Sequence, residues 1–295
     1  MKIIRTISEL RRVLTGWRQA GDRICLVPTM GNLHAGHLQL VTTAQQQAER
    51  VVVSIFVNPT QFGQGEDFES YPRTEAEDIE KLKKNGVALV FIPSQAEMYP
   101  GGQQVSLHVT GLAERWCGAS RPGHFDGVAT IVAKLFNLTQ PDSAVFGEKD
   151  YQQLAVIRQM VRDLNIPVSI IGAPIVREPD GLAMSSRNSY LTQAERTIAP
   201  RLYQALCQIR DAIQRQEADA EAIIHAQKAH IQQAGFKLDY LALCNAETLE
   251  PAHPDDQELV VLVAAWLGKP RLIDNLRFSR FSENQNKTGR RCSKK

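Results

Sequence analysis

Five short runs of apolar, mostly β-branched residues, separated by stretches of helical composition, organise the first 175 positions of this 295-residue chain. Alternation of this kind builds a parallel sheet wound with helices, because parallel neighbours need a long crossover between them. Strands are predicted over 24–27, 51–57, 89–92, 143–146 and 168–171. Helices are predicted over 38–48, over 75–85 with Thr74 as cap, over 127–138 behind Asp126, and over 152–164 behind Asp150. The 51–57 run is continuously apolar instead of alternating, which fits a strand covered on both faces. Beyond Ile175 the pattern changes. Glu178-Pro179-Asp180-Gly181 reads as a turn, 193–214 and 220–234 as two long helices, and 239–244, 259–265 and 272–275 as consecutive strands. The expected class is α/β: a Rossmann-like parallel-sheet domain over 1–176, a smaller C-terminal α+β lid domain over 177–280, and a disordered basic tail over 281–295.

Composition narrows the class. At 43% hydrophobic and 22% charged residues the chain is an ordinary globular protein, and its five cysteines are scattered without a C-x-x-C pair, so neither a disulfide framework nor a zinc ribbon is expected. The start, Met1-Lys2-Ile3-Ile4-Arg5, lacks a signal-like apolar core, and no apolar run is long enough to span a bilayer. A cytoplasmic protein with no membrane partner is expected. The formal charge of +2 misleads, because 284–295 carries Lys287, Arg290, Arg291, Lys294 and Lys295 with no acid, leaving 29 basic against 32 acidic residues elsewhere. A net −3 on the body argues against nucleic acid as a partner.

The chemistry gathers where the first of these strands ends, in Pro28-Thr29-Met30-Gly31-Asn32-Leu33-His34-Ala35-Gly36-His37. Open α/β sheets hold ligands at the carboxyl ends of their strands, and the unpaired N–H groups at the start of the next helix attract anions. Glycine spacing there mimics a Walker A loop, but His37 stands where the lysine belongs and Leu38 where the serine or threonine belongs. A dinucleotide fingerprint at Gly63-Gln64-Gly65 fails too, with Phe68 in place of the third glycine. What remains is a His-x-x-His nucleotide loop, which resembles the aminoacyl-tRNA synthetase signature.

Three further constellations follow. Gly147-Glu148-Lys149-Asp150 closes another strand, so the Lys149 ammonium is expected in the same crevice, where it would neutralise phosphates. Met184-Ser185-Ser186-Arg187-Asn188 offers two hydroxyls and a guanidinium just past the boundary, a clamp for a triphosphate. Asn58-Pro59-Thr60-Gln61-Phe62 reads either as a Pro-containing turn or as a substrate loop in which Gln61 offers an amide while Met30 and Phe62 wall a small branched substrate. Arg121-Pro122-Gly123-His124-Phe125-Asp126-Gly127 is equally open between a binding loop and a helix start.

Taken together, these strings resemble the pantoate–β-alanine ligases of the HIGH-motif nucleotidyltransferase superfamily, from about Met1 to Asn275. The resemblance implies condensation of (R)-pantoate with β-alanine through a pantoyl adenylate, with release of pyrophosphate and AMP. It further implies ATP held by Met30, Gly31, Asn32, Leu33, His34, Ala35, Gly36 and His37, by Gly147, Glu148, Lys149 and Asp150, and by Met184, Ser185, Ser186 and Arg187, with Val176 near the adenine. His37, His34 and Lys149 would be catalytic, His37 as proton donor. Gln61 and Gln153 would hold pantoate, Gln61 also touching β-alanine. Mg²⁺ is expected with the phosphates, without protein side-chain ligands, and a homodimer is implied. Family members end near Arg271-Leu272-Ile273-Asp274-Asn275, so 278–295 has no assigned role. The alternatives are a nucleotidyltransferase that stops at the nucleotide conjugate, and an RNA-binding module using the basic tail.

Overall fold

In the computed structural model, which describes residues 1–281, all six strands of the first sheet run parallel in the order β1-β4-β3-β2-β5-β6. The elements are β1 (Lys2–Ile4), α1 (Ile7–Gln19), β2 (Ile24–Thr29), α2 (Ala35–Gln45), β3 (Arg50–Ile55), α3 (Glu75–Lys84), β4 (Leu89–Phe91) and the short helices α4 (Gln95–Met98) and α5 (Cys117–Ser120). They continue with α6 (His124–Thr139), β5 (Ser143–Gly147), α7 (Tyr151–Asp163) and β6 (Ser169–Ala173). Successive strand residues face opposite sides. Leu26, Val52, Phe91, Ala144 and Phe146 therefore pack beneath α1, α6 and α7, while Cys25, Val27, Val51, Val53 and Val145 pack beneath α2 and α3. Both faces are dry, which is why the strands read as unbroken apolar runs.

The chain divides into two compact units, one formed by Met1–Val176 with Met184–Ser186, the other by Arg177–Ala183 with Arg187 onward. In the second unit, α8 (Gln193–Ile198), α9 (Arg201–Arg215) and α10 (Ala220–Gln233) precede an antiparallel meander of β7 (Lys237–Asn245), β8 (Glu258–Trp266) and β9 (Arg271–Ser279). Leu206, Ile209 and Ile213 of α9 and Ile223 and Ile231 of α10 close over Leu241, Leu243, Val261 and Val263 of the sheet. The predicted turn at 178–181 is present, with Glu178 N–H donating to Leu182 O and an isolated bridge from Arg177 to Ala183.

Several expectations are corrected. The helix predicted over 193–214 is two helices, because Pro200 cannot donate to the preceding turn and instead starts α9. The cap of α6 is Gly123 in a left-handed conformation; Asp126 lies inside the first turn, and its carboxylate accepts from Val109 N–H at 2.9 Å. Asp150 stands at the N-cap of α7 without a side-chain cap bond, and the Thr74 hydroxyl donates to Asp78 at 3.2 Å instead of capping α3. β1 and α1 were not expected. The disordered tail expected over 281–295 lies, after its first residue, outside the described residues.

Arg177 is held in the second unit by a bidentate pair with Asp274 at 2.7 and 2.9 Å and by stacking 3.6 Å from the Tyr203 ring centroid. Asp274→Ala leaves that guanidinium largely buried without its carboxylate. A loss of about 3 kcal/mol of unfolding free energy is expected in urea titrations; a loss near zero contradicts it.

Candidate active site

β2 and β5 are parallel neighbours, with Cys25 opposite Ser143 and Leu26 opposite Ala144. The loops leaving their carboxyl ends, 30–34 and 147–150, therefore emerge side by side. The other neighbour of β2 is β3, so this is where chain connections part to opposite sides, the switch point at which such sheets bind ligands.

His34 is the N-cap of α2, and the cap is a reciprocal one built from imidazoles. His34 Nδ1 accepts from Gly36 N–H at 3.1 Å, while His34 N–H donates to His37 Nδ1 at 3.3 Å. With Nδ1 an acceptor in both rings, the proton of each neutral imidazole resides on Nε2. The ring centroids are 4.1 Å apart. A Cβ at Gly36 would lie 2.8 Å from the His34 ring, so only glycine fits under the cap.

This revises the expectation that bare helix-start N–H groups receive the anion. The N–H groups of His34 and Gly36 are already satisfied by imidazole nitrogens, which present a donor further out through Nε2–H. Burial, followed by the nearby Lys149 ammonium, pushes His34 down to about 4, partly opposed by Asp150. Burial, then His34 and Lys149, push His37 down to about 3. Lys149 acts on both rings, so histidines and lysine share one electrostatic environment, and at neutral pH the imidazoles are uncharged donors beside a cation.

Val176 O, beyond β6, accepts from Met184 N–H at 3.0 Å, and Ser186 Oγ donates to Asn32 O at 3.2 Å. Met184–Ser186 thus joins the first unit, while Arg187 belongs to the second. Asn188 Nδ2 closes the base of this excursion on Ala183 O at 3.0 Å.

The exit of β3 forms a short 3-10 turn, Pro59–Gln61. Gln61 Nε2 lies 3.0 Å from Met30 Sδ, and its Oε1 accepts from Asn58 Nδ2 at 3.2 Å. Asn58, almost wholly buried, also donates to Gly127 O at 3.2 Å and accepts from the Tyr99 hydroxyl at 2.8 Å. A Cβ at Gly127 would meet Thr60 O at 2.2 Å, so α6 can approach this turn only through glycine. Arg121 binds Glu66 through two 2.6 Å bonds and donates to His124 Nε2 at 2.9 Å; His124 Nδ1–H must then donate to Gln61 O, 2.7 Å away. The 121–127 segment therefore both starts α6 and pins the Gln61 turn. Burial and Arg121 push His124 down to about 4.

The adjacent glutamines of α7 differ. Gln152 is buried and ties the 112–117 segment through Cys117 N–H, Leu112 O and Arg115 O, whereas Gln153 is partly exposed on the same first turn.

Residues 2–277 match the family model described as pantoate-beta-alanine ligase. The chain is 58% identical over 278 residues to the pantothenate synthetase of Pseudomonas fluorescens strain SBW25, covering 94% of this chain and 98% of that one. It is 56% identical, again over 94% of its length and 98% of the relative, to the pantothenate synthetase of Azotobacter vinelandii. The chain belongs to the pantoate–β-alanine ligase family. The crystal structure of pantothenate synthetase from Thermus thermophilus superposes with a TM-score of 0.89 at 46% identity, over 96% of this chain and 100% of that one. A Francisella tularensis pantoate-beta-alanine ligase complexed with beta-gamma ATP and beta-alanine superposes at 0.80 with 35% identity, over 95% and 98% of the two chains. This ligase is thus an AMP-forming enzyme that joins pantoate to β-alanine, and its family's fold is the α/β sheet with the small antiparallel domain seen here.

Sequence reasoning left the strings holding Asn58 and His124 open and gave no separate role to Gln152 or Asp78. Asn58 and His124 hold the Gln61 turn, Gln152 holds the 112–117 segment, and Asp78 of α3, fully buried, accepts the N–H groups of both Asn32 and Leu33 at 2.8 Å. Leu33 itself points into the core at 3% exposure. Asn58-Pro59 carried a turn signal, but Glu75-Ala76-Glu77-Asp78 looks like a solvated first turn and offered none. No helix among the described residues is long and apolar enough to cross a membrane, and they contain no group of three His, Cys, Asp or Glu side chains arranged for a metal.

His34, His37 and His124 stay neutral in the fold but take up a proton below about pH 6.5 in the unfolded chain. Their contribution to stability is complete above that pH and is lost as pH falls toward about 4. The exposed His108, raised by Asp126, acts in the opposite sense. Denaturation of the ligand-free ligase is therefore expected to show lower stability at pH 5 than at pH 7.5, with a shallower slope in His34→Asn. Equal stability at the two values contradicts the neutral assignment.

Proposed function

We propose that the triphosphate of ATP lies across the ends of β2 and β5, receiving Nε2–H bonds from His34 and His37 and the charge of Lys149. The single observation carrying this is that the loops bearing His34, His37 and Lys149 leave the neighbouring parallel strands β2 and β5 at the sheet's switch point. Met30–His37, Gly147–Asp150 and Met184–Arg187 form the ATP site in this reading, with Val176 toward the adenine. Gln61 and Gln153 hold pantoate, and Gln61 also contacts β-alanine.

The chemistry follows from the charges. A pantoate carboxylate is already an anionic nucleophile, so its attack on the α-phosphorus requires alignment and relief of repulsion, not a base. Its oxygen forms the new P–O bond while the bond to the β-phosphate oxygen breaks, and pyrophosphate leaves. Lys149 and the two Nε2–H donors take up the growing charge on the departing oxygens; His37 is a donor of a hydrogen bond and, with its depressed basicity, becomes a proton donor only once phosphate raises it. The neutral amine of β-alanine then attacks the acyl carbon of the mixed anhydride, the acyl–O bond breaks, AMP departs and the amine loses a proton to solvent.

Gln61 suits selection of pantoate because its side-chain amide is already oriented by Asn58, while His124 fixes its backbone carbonyl. An analogue lacking a hydroxyl would leave a polar group unpaired in a mostly apolar pocket. Both Nδ1 lone pairs are engaged and both Nε2 atoms protonated, so the imidazoles suit phosphate oxygens and not a metal; Mg²⁺ would be held through the phosphates and supply further charge neutralisation there. We further read the ligase as a cytoplasmic homodimer that takes small-molecule substrates and no nucleic acid.

Lys149→Ala and His37→Ala are expected to lower pantoate-dependent exchange of labelled pyrophosphate into ATP by about 10²–10³-fold, a loss far larger than that of stability, which for His37→Ala is about 1 kcal/mol from its half of the α2 cap. Near-normal exchange in either variant removes its assigned role, and product mass spectrometry showing a released conjugate instead of AMP with pantothenate would favour simple nucleotidyl transfer.

A further inference from the structure

A fully buried carboxylate beside a phosphate site needs an explanation, since it repels the very ligand the site must hold. Asp78 is such a group. Its Oδ1 accepts from Leu33 N–H at 2.8 Å, and its Oδ2 accepts from Asn32 N–H at 2.8 Å and from the Thr74 hydroxyl at 3.2 Å. Three residues later on the same face of α3, Lys81 Nζ donates to Leu33 O at 2.8 Å. One helix therefore grips both the N–H and the C=O of Leu33, the residue immediately before His34.

Gly31 and Asn32 are consecutive left-handed residues at φ +83 and +49, and their turn draws successive N–H groups together into a concavity that suits an anion. In this chain that concavity already holds the Asp78 carboxylate.

We infer that Asp78, assisted by Lys81, is a positioning residue that fills the backbone anion nest of the phosphate loop, so that ATP meets imidazole Nε2–H donors and not the loop's own N–H groups. The inference rests on the proposed placement of ATP. By fixing Leu33, the clamp directs His34 N–H onto His37 Nδ1, the contact that sets the tautomer of the pair. Lys81 adds positive charge that lowers the basicity of both rings.

The test compares Asp78→Asn, Lys81→Met and Thr74→Val with the unaltered protein, using ¹⁵N histidine NMR of the ligand-free chain and pyrophosphate exchange with KM for ATP and kcat read separately. Asp78→Asn is expected to lower kcat by about 10²-fold, while His34 and His37 lose the single Nε2–H tautomer pattern. Lys81→Met is expected to raise the pH at which both rings titrate. Thr74→Val, which removes only one donor, is expected to shift the same histidine signals with a smaller loss of kcat, and it keeps the test decisive if Asp78→Asn fails to fold. Unchanged tautomers and kcat within about threefold in the folded variants overturn the inference. If the unaltered protein shows no exchange, the ATP placement fails instead, and the histidine spectra still decide whether the clamp exists.

Discussion

The parallel pairing of β2 with β5 is the constraint from which the site follows. It places two strand ends, distant in sequence by more than a hundred positions, next to each other at one sheet edge. The histidine loop leaves one and the Lys149 turn leaves the other. No local preference of either segment could bring an ammonium into the field of those imidazoles; only the strand order does so.

Around that pairing, several polar side chains hold other segments in place. Asp78 and Lys81 hold Leu33, the imidazoles hold each other's backbone, Asn58 and His124 hold Gln61, and Gln152 holds the 112–117 segment. Asp78, Asn58 and Gln152 spend their side-chain hydrogen bonds within the protein. This arrangement lowers the reorganisation needed when charge develops, because the donors are oriented before the substrate arrives. The neutral state of the histidines belongs to the same design.

Local signals went far in locating strands. Continuous apolar runs read correctly because burial on both faces leaves no polar alternate, and the central antiparallel strand β8 was legible for the same reason, with Val260, Leu262 and Ala264 buried as fully as their neighbours. Helix starts read less well. Asp126, Asp150 and Thr74 are all good capping residues, yet each directs its oxygen elsewhere or leaves it uncapped, because a nearby backbone N–H, hydroxyl or solvent competes for it. β1 escaped notice since three residues at a sheet edge, two of them exposed, carry hardly any periodicity.

The sequence by itself determined the class of fold and the chemical inventory: alternating runs demand a wound parallel sheet, and histidine, lysine and glycine at strand ends mark where anions can bind. Tertiary structure alone decided which of these groups act together and in what protonation state. Burial beside Lys149 makes the imidazoles neutral, Nδ1 contacts with backbone choose their tautomer, and a carboxylate from α3 occupies the backbone nest that local reasoning left for the ligand. Each of these depends on distances across the sheet edge, where an electrostatic or hydrogen-bonding partner comes from a remote part of the chain, and such distances are not encoded in any short string of residues.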